Sequence, residues 1–220
     1  MPGTSWWAKE AGTALLIVLT LTFLFSALTI GAATVVGVET TITSRYRDGI
    51  EALYIADGAL AVVLAELRTL PDWSPILQGT LHSTASQGSF TGSASVVGGT
   101  LFLCCGARSV FERLALESAA GAVPARRALT WHPYLWSPWN ALADQPGPGR
   151  VFVVTFVQDD EDDGDADAAT DLNGVVVVRS EAIRPDGLRR IVEALVARDP
   201  GDPDHGIPAA VRVLRWREVR

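Results

Sequence analysis

From Gly12 to Val38 the chain carries no charged residue, and this run limits what it can fold into more than any other feature. It reads "GTALLIVLTLTFLFSALTIGAATVVGV". Roughly 20 apolar residues take an α-helix across about 30 Å of hydrocarbon. Residues 13–38 are therefore expected to form a membrane-spanning helix, with residues 1–12 as a short leader. A secretory signal holds an apolar stretch of only about 7–15 residues behind a basic segment. This run is longer, and its flank offers Lys9 followed at once by Glu10. The small residues of "IGAAT" keep a cleaved signal as a second reading.

The helical pattern continues past the run. In residues 39–70, Ile42, Tyr46, Ile50, Leu53, Tyr54, Leu60, Val63, Leu64 and Leu67 recur at steps of three, four and seven, which predicts one apolar face of an amphipathic helix. Arg45, Arg47, Asp48, Glu51, Asp57, Glu66 and Arg68 fall largely on the other side. Pro71 is expected to end the helix, because the residue before a proline disfavours the α region.

These two halves resemble the N-terminus of type IV pilus minor pilins, in particular the PilX-like assembly proteins. The resemblance lies in "EAGTALLIVLTLTFLF" followed by "YRDGIEALYIADGALAVVLAELRTLPDW". It implies an α+β pilin-like fold, a long N-terminal helix packed on an antiparallel β-sheet. It also implies a structural subunit, held by its N-terminal helix in the inner membrane with the C-terminal domain in the periplasm, and able to enter an extracellular pilus. Other pilin subunits and a prepilin peptidase are the implied partners. The peptidase would cut after Gly12 and leave Thr13 as the first mature residue. Major pilins carry a glutamate at the fifth mature position, where this chain has Ile17. Some minor pilins and tip pseudopilins lack that glutamate, so the departure points to a minor, initiating or tip-like role. A single-pass anchor carrying a calcium-dependent binding module in the periplasm is the alternative.

About 180 residues follow the apolar run, enough for one globular head over residues 71–220. The segment Gly79–Thr100 is rich in small polar residues and reads as a loop or a β-loop insertion. "ARSVFERLALESAAG" predicts a short helix. "WHPYLWSPWNAL" sets Trp131, Tyr134, Trp136 and Trp139 among prolines, and reads as a loop. Its rings are either a contact surface or a plug at the edge of the core. "RVFVVTFVQ", "GVVVVRSEAI" and "LRRIVEALVAR" predict strands, with "RPDG" as a turn between the last two. "AAVRVLRWREVR" alternates well enough to add a last strand or to pair with a neighbour. Adjacent Cys104 and Cys105 sit in an apolar context and read first as two small buried hydrophobes. A vicinal disulfide and a bridge to another subunit are the other readings.

Recognisable catalytic patterns are missing from the sequence. His82, His132 and His205 stand far apart, and there is no GxSxG elbow or phosphate-binding glycine loop. The net charge of −7 argues against a nucleic-acid partner, which requires a basic surface. That charge is localised, because eight of the 25 acids fall between Asp159 and Asp171 with no base among them. In "DDEDDGDADAATD" the alternation Asp159, Glu161, Asp163, then Gly164, resembles the opening of a calcium loop. Asp159, Glu161, Asp163, Asp165 and Asp171 are the candidate ligands for a Ca²⁺ held in a loop over residues 159–174. Thr170 stands where an EF-hand places its bidentate glutamate, so the loop is not a true EF-hand. A solvated acidic loop accounts for the same run. The segment "DLNG" and the following "VVVVRSEA" also resemble a stretch found in some PilX-like proteins.

Overall fold

Two compact units make up the chain in the computed structural model, Met1–Asp48 and Gly49–Arg220. The structure describes residues 7–106, 108–121, 130–164, 167–199, 201 and 209–219. Helix α1, Trp7–Leu67, is unbroken over 61 residues. Its part from Thr13 on is long and apolar enough to cross a membrane. Side chains from Leu15 to Val38, among them Phe23, Phe25 and Ile30, are exposed, as expected of a surface that meets hydrocarbon. Thr20, Thr22, Ser26 and Thr29 donate their hydroxyls to carbonyls four residues back, so these polar groups are satisfied within the helix. Gly12 and Thr13 both lie inside α1.

The second unit takes the later part of α1 and packs it on a sheet. The helix ends at Leu67, with Leu70 N–H donating to the Leu67 carbonyl in a tighter turn before Pro71. The buried face keeps Leu60, Val63 and Leu67 of the expected set, with Leu53 and Leu64 packed against the core, but alanines take the rest. Ala52, Ile55, Ala56, Ala59, Leu60, Val63 and Leu67 are buried, whereas Ile42, Tyr46 and Tyr54 are 61%, 70% and 72% exposed. The physical reason is close approach, since alanines let a helix backbone sit nearer a sheet than tyrosines do.

After α1 come a single turn α2, Ser74–Leu77, and a small hairpin of β1, Ser93–Val96, and β2, Gly99–Phe102. The hairpin begins within the segment read as a loop or β-loop insertion and runs two residues past its expected end at Thr100. Helix α3, Val110–Gly121, falls where a short helix was expected. Strand β3, His132–Pro138, leads into the single turn α4, Trp139–Leu142. The aromatic run is thus a strand rather than a loop, with Tyr134, Leu135 and Trp136 buried. Strands β4, Phe152–Asp159, β5, Val175–Ile183, β6, Arg189–Asp199, and β7, Ala210–Val219, complete an antiparallel sheet in the order β3-β4-β5-β6-β7. The architecture is α+β, with the long N-terminal helix on a five-stranded antiparallel sheet.

Alternation along the strands builds two cores. Val153, Val157, Val176, Val178, Ala182, Val192, Ala194 and Val196 face the later part of α1. Phe152, Val154, Phe156 and Ile183 face the opposite way, against Leu103, Val110 and Leu114 from α3 and its approach. Beside this second core lies a buried ionic cluster. Arg179 donates to Glu181, Glu193 and Glu117 at 2.8, 2.8 and 2.5 Å, and Arg189 also bridges Glu117 and Glu181. Arg179, Arg189, Glu117, Glu181 and Glu193 each have an opposite partner, which is what makes burial of Arg179 and Glu181 tolerable. Burial raises the Glu117 carboxyl, but hydrogen bonds and charge from Arg189 and Arg179 outweigh it and hold the group below its ordinary range.

Cys104 and Cys105 form a vicinal disulfide between β2 and α3. Cys105 is exposed with φ +68°, so the expectation of two buried thiols is corrected.

Candidate functional site

Between β4 and β5 the acidic segment is folded back on itself rather than splayed into solvent. Asp159 is the last residue of β4, opposite Val176, and is 1% exposed. Its Oδ1 accepts the Asp160 N–H at 3.0 Å. Asp160 in turn accepts the Asp162 N–H at 3.1 Å and the Asn173 side-chain amide at 2.9 Å. Asp163 Oδ2 accepts the Leu172 N–H at 3.0 Å, tying the two ends of the segment together. Asp159 and Asp160 fit this task because short carboxylates reach backbone N–H groups one or two residues on, while Asp163 reaches across the turn to Leu172.

Asp171 anchors the return into β5. Its Oδ1 accepts the N–H groups of Gly174 and Val175 at 2.8 and 3.2 Å. Its own N–H donates to Ser74 Oγ, whose hydroxyl donates to Asp72. Gly174, at φ +72°, takes the left-handed conformation that the turn requires. Arg198 Nη2 lies 3.9 Å from Asp171 Oδ2, and the side chain of Asp171 is fully buried. Burial raises the Asp171 carboxyl; the nearby Asp163 charge adds to this, while the two N–H donors and Arg198 oppose it without cancelling it.

Asp159, Asp160 and Asp163 converge. Each offers one carboxylate oxygen, and the three oxygens lie within 4.8 Å of one another at buried positions. That donor set is hard, anionic and oxygen-only, and suits a divalent cation such as Ca²⁺ or Mg²⁺ better than a soft metal.

The sequence-expected ligands divide. Asp159 and Asp163 are brought together, and Asp171 is buried close enough to Asp163 for their charges to interact. Glu161 is exposed and is not in the converging group. Asp165 lies outside the described residues, as does His205. Asp160, absent from the expected set, takes part instead. Alternate-residue spacing favoured odd positions, whereas the chain turns at the end of β4 and brings two consecutive carboxylates side by side. No sequence pattern marked Ser74 or Arg198.

Trp131 donates its indole N–H to Ser118 at 3.0 Å, and Trp136 donates to the Gly88 carbonyl at 3.2 Å. Phe90 packs edge-on against Phe111 and Phe156. The aromatic run is therefore shared between the cores, Trp131 and Trp136 with the second, Tyr134 and Trp139 with the one against α1.

Compared with known protein families, with curated proteins and with solved structures, the chain matches none.

Proposed function

We propose that the chain is a minor pilin or pseudopilin-like subunit that takes part in assembling a type IV pilus, with a structural role and no catalysis. The observation that carries this reading is helix α1. One helix provides both an uncharged, exposed surface over residues 13–38 and a small-residue face, Ala52 to Leu67, laid on an antiparallel sheet. A simple anchor has no need to continue as a structural element of the domain it tethers. The exposed side chains of Ile42 and Tyr46 in the first unit, and of Tyr54 in the second, supply apolar surface for packing against the helices of other pilin subunits. The burial of Tyr134 and Trp136 takes support from the alternative binding module, since those rings are not available as a contact surface.

In this reading the precursor sits in the inner membrane with its head in the periplasm, and a prepilin peptidase removes residues 1–12. N-terminal sequencing of the protein purified from membranes tests it. A mature chain beginning at Thr13 is the expected result, and a chain still beginning at Met1 sinks the reading.

The acidic loop in this proposal holds a calcium ion between Asp159, Asp160 and Asp163, with Asp171 as the buried support of the turn. Three carboxylates leave room for backbone carbonyls and water in a shell of six to eight oxygens.

A further inference from the structure

We propose that β7 is the seat for an extended acidic strand of a partner protein, which adds to the open edge of the sheet and sets its carboxylates beside Arg212 and Arg215. The five-stranded sheet has two edges, and they are treated differently. At the β3 edge, the Ser83 and Gln87 N–H groups donate to the carbonyls of Tyr134 and Trp136, both at 2.8 Å. Pro133 and Pro138 also remove N–H groups from that strand. At the β7 edge, no segment among the described residues pairs with the outer side, and the strand runs for ten residues without a proline. A row of unpaired N–H and C=O groups is a template for another strand.

The side chains on β7 select what can add. The register Arg217↔Glu193, Arg215↔Leu195 and Arg212↔Ala197 puts three guanidiniums on one face. Trp216↔Ala194 and Val213↔Val196 put two exposed apolar groups on the other, 47% and 41% exposed. Arg217 is held by Glu193. Arg212 and Arg215 are exposed, and neither has an ion-pair partner among the described residues. A second copy pairing β7 with β7 would line arginine against arginine on one face, and like charges across strands repel. A strand alternating acidic and apolar residues satisfies both faces at once. Edge arginines and the irregularity near Leu195 and Val196 also discourage indiscriminate pairing, so they narrow the choice to a complementary strand. This inference stands apart from the pilin reading, because it uses only the edge of the sheet.

The test uses the full chain in detergent micelles and three synthetic peptides of about ten residues, matched to the length of a strand. One alternates Glu and Val, one alternates Lys and Val, and one is the Glu-Val peptide with N-methyl groups on alternate amides. The Glu-Val peptide is expected to bind and to shift the fluorescence of Trp216. The double variant Arg212→Glu/Arg215→Glu is expected to lose it by about tenfold and to gain the Lys-Val peptide, since two attractive cross-strand pairs become repulsive and the reverse. A gain of binding cannot come from misfolding. The N-methylated peptide keeps its charge and loses strand hydrogen bonds, so it is expected to bind far more weakly. Equal binding of the methylated peptide would make the arginines a general anion surface and overturn strand addition. No binding of the Glu-Val peptide, or a double variant with an unchanged melting point that fails to take the Lys-Val peptide, overturns it as well.

Discussion

Asp171 is the residue whose charge costs the fold most visibly in the acidic loop. Its side chain is fully buried, and its carboxyl is raised chiefly by that burial. A carboxyl raised in the folded state contributes stability that is fully present below its unfolded value, and loses it as pH rises through the folded value. The charged carboxylate is therefore held less easily at this position than a neutral group would be. Asp171→Asn keeps an Oδ1 to accept the Gly174 and Val175 N–H groups and removes the charge. With divalent cations chelated, the variant is expected to melt above the wild type at pH 7. The difference should close as pH falls below the ordinary carboxylate range, where both side chains are neutral. Thermal melts at stepped pH check this. A variant that melts lower at pH 7 would mean that the Arg198 interaction at 3.9 Å outweighs burial.

At the scale of elements, α1 is set by small residues. Ala52, Ala56 and Ala59 are essentially inaccessible and face the valines of β4, β5 and β6. Interiors are close-packed, and forcing extra methylenes into them costs about 1–3 kcal/mol. Ala59→Leu is expected to lower the unfolding free energy of the full chain in detergent, read from denaturant melts, by that amount. Ala61→Leu, on the exposed side, should stay within about 0.5 kcal/mol of wild type. Equal effects would mean that α1 is not seated as described. The helix was legible in the sequence, and so was the part of its buried face made by Leu53, Leu60, Val63, Leu64 and Leu67; the contribution of Ala52, Ala56 and Ala59 was not, because Tyr46, Tyr54 and Ile42 outweigh alanine in a reading of apolar periodicity. Strands β4 to β6 were legible through runs such as Val175–Val178 bounded by turn residues. Strand β3 was not, since Pro133 and Pro138 read as breakers, although a proline is tolerated at a sheet edge. In the acidic loop, Asp159 and Asp163 were legible from their spacing. Asp160 was not, because its place depends on how the chain turns after β4.

For the molecule as a whole, the acidic loop is a local charge with a global consequence. It joins β4 to β5, paired neighbours in the sheet, and the Asp163–Leu172 hydrogen bond ties its two ends, so an ion held by Asp159, Asp160 and Asp163 would be coupled to the folded pairing of those strands. An ion that binds the folded state alone stabilises it by RT ln(1 + [L]/Kd), about 2.7 kcal/mol at a hundredfold excess over Kd. For a chain of this length that corresponds to about 5–10 °C in melting temperature. Millimolar calcium is therefore expected to raise the melting point of the full chain in detergent by that amount. Magnesium should do less, because it demands a tighter octahedral shell. Asp163→Asn removes one of the three converging carboxylates, so most of the calcium increment should vanish. Its calcium-free melting point should be unchanged or slightly higher, because the amide oxygen can still accept the Leu172 N–H and one repelling charge is gone. Sodium chloride at matched ionic strength is the control, because screening alone also relieves repulsion among exposed acids. If sodium chloride and calcium raise the melting point equally, the loop is a screened acidic cluster and the ion site is wrong. If calcium alone raises it and Asp163→Asn removes the increment, the cation is held where the three carboxylates meet.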